Sequence, residues 1–212
     1  MLPTVLRPHL LAETAVPPRS TLGRTPTGNW TVTAGGELTV LDPGLLIAAR
    51  FPLPAGGSGT HAVAPDTSCA ALALPDRLVV VGPGGRTRWE VHHPAWGEGE
   101  SGSAWITGAG TVWAVVPSAD GPGAPDHWWM LDAGTGAALQ DFALDCHSTG
   151  SDPIPYPDGL LLGLSSADQA GQGFRVYAAT LTGPPGVRRL PGTRRAPADV
   201  HPAGDRYLTT TQ

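Results

Sequence analysis

Two short segments bring three of the seven histidines together with an aspartate and a cysteine, side chains that can move protons or bind metal: His92-His93-Pro94 and Asp145-Cys146-His147. Histidine titrates near neutrality, so it can act as acid, base or metal ligand. Two or three imidazoles with Asp145 form a donor set that suits a transition metal such as zinc, iron or copper. A histidine paired with Asp145 instead offers acid–base chemistry. The third reading is that loop histidines do neither. Binding residues are sought nearby: Arg19, Arg194 and Arg195 for an anionic group, and Trp96 for stacking or anchoring. Trp96 lies in the glycine-rich, acidic stretch Pro94-Ala95-Trp96-Gly97-Glu98-Gly99-Glu100, which leaves two readings: an exposed indole that stacks or anchors, or, the favoured one, a ring folded back over the edge of blade three.

These residues are far apart in sequence and meet only if a repeat brings them together. The segment from Pro3 to Leu11 reappears from Leu38 to Leu46, with identities at the Thr, Val, Leu, Pro and both later Leu positions. Weaker copies begin at Leu78, Trp128 and Val176. Aligned on Thr4, Thr39, Val79, Trp129 and Tyr177, the steps are 35, 40, 50 and 48 residues. A period in this range with only strand-like signals points to β-propeller blades. The fold expected is therefore all-β: one domain over residues 1–212, a five-bladed propeller of four-stranded antiparallel blades. Blade boundaries fall near 9–42, 43–82, 83–132, 133–181, and 182–212 plus 3–8. The ring is expected to close by pairing of Thr4 to Arg7, as an outermost strand, with Tyr207 to Thr210.

Turn chemistry supports the same division. One set comprises Asp42-Pro43-Gly44, Gly82-Pro83-Gly84-Gly85, Asp132-Ala133-Gly134-Thr135-Gly136 and Thr182-Gly183-Pro184-Pro185. A second comprises Pro26-Thr27-Gly28, Pro65-Asp66-Thr67, Gly108-Ala109-Gly110, Pro157-Asp158-Gly159 and Pro202-Ala203-Gly204. Such residues supply positive or fixed φ where a chain reverses quickly. After the first set comes a strand closed by Val16, Phe51, Trp89, Phe142 or Leu190. Read as the innermost strand of each blade, it gathers the following loops at one end of the channel. His92, His93, Asp145, His147, Arg19, Arg194 and Arg195 then share a rim. Extra residues at Ala95 to Ser103, Ser118 to Asp126 and Ser166 to Gly173 enlarge that end, as insertions at binding faces often do.

The strand and turn from Trp128 to Gly136, followed by Phe142, and Tyr156-Pro157-Asp158-Gly159 before Leu160-Leu161-Leu162, resemble the signatures of WD40-like and PQQ-like bacterial propellers. The resemblance implies the fold. It carries over no cofactor, because no Trp-Asp dipeptide closes a blade and the tryptophan docking pattern of the PQQ-type repeats is incomplete.

Composition removes several chemistries. All 13 basic residues are Arg. Without Lys there is no P-loop nucleotide site of the Gly-Lys-Ser/Thr kind and no Schiff base to pyridoxal phosphate. A formal charge of −5 argues against general nucleic-acid binding. No apolar run is long enough for a membrane helix, and the N-terminus lacks a charged leader region, so a cytoplasmic protein with Cys69 and Cys146 as reduced, buried thiols is expected.

Fold alone does not choose a function. The leading expectation is a non-catalytic recognition propeller that binds a protein or small ligand on the loop face of blades three and four. The alternative is a small-molecule enzyme, a lyase, cyclase or hydrolase built on the His/Asp cluster, with or without metal. A glycosidase would need two carboxyls at the channel, and only Glu13, Asp141 and Asp145 are candidates. A sugar-binding lectin comes third, since its pockets would have to repeat and these loops do not.

Overall fold

The computed structural model describes residues 12–25, 27–54, 60–98, 100, 102–121, 123–156, 161–168, 173–181, 183–193, 197–200 and 207–209. Its apolar runs become strands. The first sheet holds β1 (Thr21–Arg24), β2 (Trp30–Ala34), β3 (Glu37–Leu41) and β4 (Ile47–Pro52). The second holds β5 (Thr60–Val63), β6 (Ala70–Ala73), β7 (Arg77–Val81) and β8 (Thr87–His92). The third is β9 (Ala104–Ile106), β10 (Thr111–Val116), β11 (His127–Asp132) and β12 (Ala138–Ala143), and the fourth is β13 (Ser148–Pro155), β14 (Leu161–Asp168), β15 (Phe174–Thr180) and β16 (Val187–Thr193). Each is an antiparallel meander in chain order, and a two-stranded ribbon of β17 (Pro197–Val200) and β18 (Tyr207–Thr209) follows. The described residues contain no α-helix, only one 3₁₀ turn at Pro83–Gly85.

The core lies between successive sheets. Leu38, Val40 and Phe51 of the first sheet pack with Leu72, Val79 and Val81 of the second. Val80 and Trp89 pack with Ile106, Val112 and Leu131 of the third, and Trp113, Val115 and Trp128 with Leu162, Leu164 and Tyr177 of the fourth. A sheet covered on both faces needs continuously apolar central strands. Accordingly every residue of β6 is buried, as are Val112 to Val116 of β10.

Among the described residues the turns follow their predicted chemistry, with a difference at Asp42-Pro43-Gly44. Asp132 Oδ1 accepts from the N–H groups of Gly134 and Thr135 and from the Thr135 hydroxyl. Gly136 then takes φ 75°, where a Cβ would lie 2.8 Å from the Trp89 ring. In Asp42-Pro43-Gly44, however, the positive φ falls on the next residue, Leu45, at 65°. The Asp42 side chain accepts from the Leu46 N–H and the Asp42 carbonyl from that of Leu45, which closes this turn without a glycine at its strained position.

The expected blade boundaries and strand order need correction. The strand after the first turn set was placed innermost and assigned to the following blade. It is instead the last strand of its own sheet: β4 pairs with β3, β8 with β7, and β12 with β11. Burial says why. In β4 only Ala49 and Phe51 are buried, and no residue of β12 is, which marks outer strands with one solvated face. The first strands lie on the other side, where they meet one another. Thr60 Oγ1 donates to the Gly102 carbonyl, and buried Ser103 shares a 2.9 Å hydrogen bond with Ser151. The expected closure through Thr4 to Arg7 lies outside the described residues.

Candidate functional site

The loops that follow β8, β10 and β12 gather at one end of the third sheet. Between them is a cleft of about 500 Å³, lined among others by Pro94, Ala95, Pro117, Ser118, Glu100 and His147. Each loop is held through its backbone N–H groups, which donate to side chains or to neighbouring loops. In the first, the Trp96 N–H donates to the Pro75 carbonyl, and the Gly97 N–H to Glu100 Oε2 at 3.0 Å. In the second, the Asp120 N–H donates to Ser118 Oγ, and Gly121 and Gly123 adopt positive φ. The third runs from Leu144 to Ser148 and is bound to Asp126, the residue just before β11. The Leu144 N–H donates to the Asp126 carbonyl, the Asp126 N–H to the Cys146 carbonyl, and the Ser148 N–H to Asp126 Oδ2 at 2.7 Å.

At the floor stands an imidazole between two carboxylates. His147 Nε2 is 3.5 Å from Glu100 Oε1, and His147 Nδ1 is 3.5 Å from Asp126 Oδ1. Glu100 and His147 each expose only 15% of their side chains, and Asp126 exposes none. Asp126 Oδ1 has no hydrogen-bond partner. Burial pushes the Asp126 carboxyl up to about 6, against the opposing pull of the Ser148 N–H and of any positive charge on His147.

The other sequence candidates lie elsewhere. His92 is exposed on β8 and pairs with Glu90 at 3.0 Å. His93 is buried, its Nδ1 against the Pro94 carbonyl at 2.6 Å, and burial lowers its pKa. Asp145 is clamped by the Tyr177 hydroxyl and the Arg189 guanidinium. Burial alone would raise its carboxyl, but those two partners hold it below the ordinary range. Tyr177 also meets the buried Cys146 thiol at 3.2 Å. Burial raises both the phenol and the thiol, so each stays protonated. Arg19 is exposed in a turn at φ 63° and does not line the cleft, while Arg194 and Arg195 lie outside the described residues. Among the described residues no group of three or more His, Cys, Asp and Glu is arranged to hold a metal ion.

Of the two readings of Trp96, the folded-back ring is the one the structure holds. Trp96 has 7% of its surface exposed. Its ring lies over Gly102, where a Cβ would come within 3.0 Å of it and 2.2 Å of the Val115 carbonyl. The glycine-rich composition that suggested an open loop is what lets the loop fold back. Sequence reading missed Glu100 and Asp126, although both fall within insertions it marked. Asp126 had a usable signal, because Asp76 holds the same place before β7. The carbonyls of Gly36, Asp76 and Asp126 accept, in turn, the N–H groups of Leu53, His93 and Leu144.

No protein-family model matches the sequence, and no curated protein matches it. Solved structures do. The WD40 domain of Toxoplasma gondii coronin aligns with a TM-score of 0.58 at 11% identity, covering 84% of this chain and 47% of that one. This chain is a β-propeller in fold. The complex of the fission yeast SREBP–SCAP binding domains aligns at 0.51 with 14% identity, covering 90% of this chain and 52% of that one. TolB from Acinetobacter baumannii aligns at 0.50 with 15% identity, covering 84% and 45%. The propeller described here thus spans about half the length of these chains, and at such identities the likeness is one of fold alone. No helix among the described residues is long and apolar enough to cross a membrane.

Proposed function

We propose that this chain is a non-catalytic recognition propeller that binds a protein or small ligand in the cleft beneath the β8–β9 and β10–β11 loops. One observation carries the reading: loops from three points of the sequence converge on a single cleft lined by prolines, alanine and glycines together with Ser118, Glu100 and His147. Apolar walls with a few placed polar groups are the usual make-up of a ligand site. One propeller of similar fold is known from a complex of two binding domains, which is in keeping with a protein partner. Two free, buried thiols fit a reducing, cytoplasmic compartment. A fifth blade is part of the same proposal, with the β17–β18 ribbon completed by Thr4 to Arg7.

Ala95 is exposed and lines the cleft, so Ala95→Trp fills it without burdening the core. Ala109 is exposed in the turn between β9 and β10, at the other end of the sheet, and Ala109→Trp is the matched control. Affinity capture from native extract is expected to lose its specific partners with Ala95→Trp and keep them with Ala109→Trp. Identical capture by the two variants would count against the cleft.

The enzyme alternative retains one favourable observation, the imidazole held between two carboxylates, and would run through His147, Glu100 and Asp126 rather than through His92, His93 and Asp145.

A further inference from the structure

We propose that the cleft accepts a single cationic side chain, arginine or lysine, presented by a protein partner. Its alkyl stem would lie along Pro94, Ala95 and Pro117 and its head against Glu100. This rests on the recognition reading above and names the ligand class.

Three observations converge. The loops that build the cleft, residues 93–103, 117–126 and 144–148, contain Glu98, Glu100, Asp120, Asp126 and Asp145 but no arginine. Asp145 pairs with Arg189 and does not line the cleft, whereas Glu100 lines it, with its Oε1 3.5 Å from His147 Nε2. Second, the lining sets Pro94, Ala95 and Pro117 in one cleft with Ser118, Glu100 and His147, which matches a side chain with an alkyl stem and a charged head. Third, Asp126 Oδ1 is fully buried, lacks a hydrogen bond, and faces the His147 ring that lines the cleft. A buried acceptor without a donor is costly, and a cation beyond the ring offsets part of that cost through the field.

Proton linkage follows. Asp126 faces His147, Glu100 and His127, with the Cys146 thiol nearby. Since its carboxyl titrates at about 6, the cleft gains negative charge as pH rises through that value. A cation prefers the ionised form, so its uptake releases a proton and its affinity rises with pH across this window.

The test uses the whole chain, labelled with ¹⁵N, and short neutral peptides carrying one central arginine, lysine, citrulline or glutamate, with agmatine as a free amine. Shifts at the Gly97, Ser118 and His147 amides report on the cleft. The arginine peptide is expected to bind about tenfold more tightly than its citrulline isostere, and Glu100→Gln to remove that preference. Affinity is expected to rise several-fold from about pH 5 to about pH 7.5, and Asp126→Asn to flatten the rise. Agmatine matching the peptide would identify a free amine as the source of the cation; weaker agmatine binding would identify a partner's side chain. Equal binding of citrulline or glutamate at the same amides overturns the cationic ligand and leaves the recognition reading intact. Silence of the cleft amides with every probe, while Ala95→Trp still abolishes capture, does the same. Capture unaffected by Ala95→Trp overturns the reading itself. Retained spectral dispersion in Glu100→Gln and Asp126→Asn separates loss of binding from loss of fold.

Discussion

Asp126 does two things that pull against each other. Its backbone and Oδ2 secure the loop after β12, while its second oxygen is buried without a hydrogen-bond donor. The energetic consequence has a definite sign. A carboxyl whose folded-state pKa is about 6, against an ordinary value of 3.8, holds its proton in the native chain over a range where the unfolded chain has lost it. Stability therefore falls as pH rises from about 4 to about 6, by about 3 kcal/mol in all, and stays lower above that window. Asp126→Asn removes this titration and keeps an oxygen for the Ser148 N–H. Denaturant unfolding is expected to show the variant level with the parent near pH 4 and more stable by a few kcal/mol near pH 7.5. Parallel stability profiles for the two proteins would show that this carboxyl is not strained by burial. Residue chemistry of this kind was only partly legible in the sequence. His147 was recognisable as a candidate, but its partners Glu100 and Asp126 were not, because a carboxylate's burial is decided by how three loops fold over it. Trp96 was left between two readings for the same reason: glycine content says that a loop can fold back, and only packing against Gly102 says that it does.

At the level of elements, local chemistry was easier to read than pairing. Turn residues carry their own instructions, so reversals such as Asp132 to Gly136 fell where expected. A sequence period identifies equivalent strands but not where one sheet ends and the next begins. The β4-type strands were therefore given to the wrong side of each boundary, and only their half-exposed pattern exposes the error. Sheet order also changes what the proposed closing strand must be. Thr4 to Leu6 repeats the Thr-Val-Leu of β3, the third strand of its sheet, so in the proposed fifth blade it takes an interior place beside β18 rather than an outer one. An interior strand is hard to lose. Deleting residues 1–8 is expected to lower the melting temperature by roughly 5–15 °C and to promote association through the bared edge of β18. Scanning calorimetry with light scattering checks both effects. A deletion variant that stays monomeric with an unchanged melting temperature would remove the closure argument.

Over the whole molecule, the sequence period lengthens at its centre. The steps of 50 and 48 residues span the third and fourth sheets, and the added length in the loops after β8 and β10 becomes the walls of the cleft. The fold was legible because repeats impose the same strand pattern several times over. The ligand was not, because it depends on which side chains from separate loops end up facing one another. The central claim of the proposal is that a partner binds in this cleft and not on another surface. Site-specific photo-crosslinking tests this directly, with a photoreactive amino acid at Ala95 in one protein and at Ala109 in another, both exposed but at opposite ends of the third sheet. A discrete crosslinked product is expected in native extract from position 95, mapped by mass spectrometry to a segment containing arginine or lysine, and none from position 109. The same products from both positions, or a product from position 109 alone, would contradict the claim.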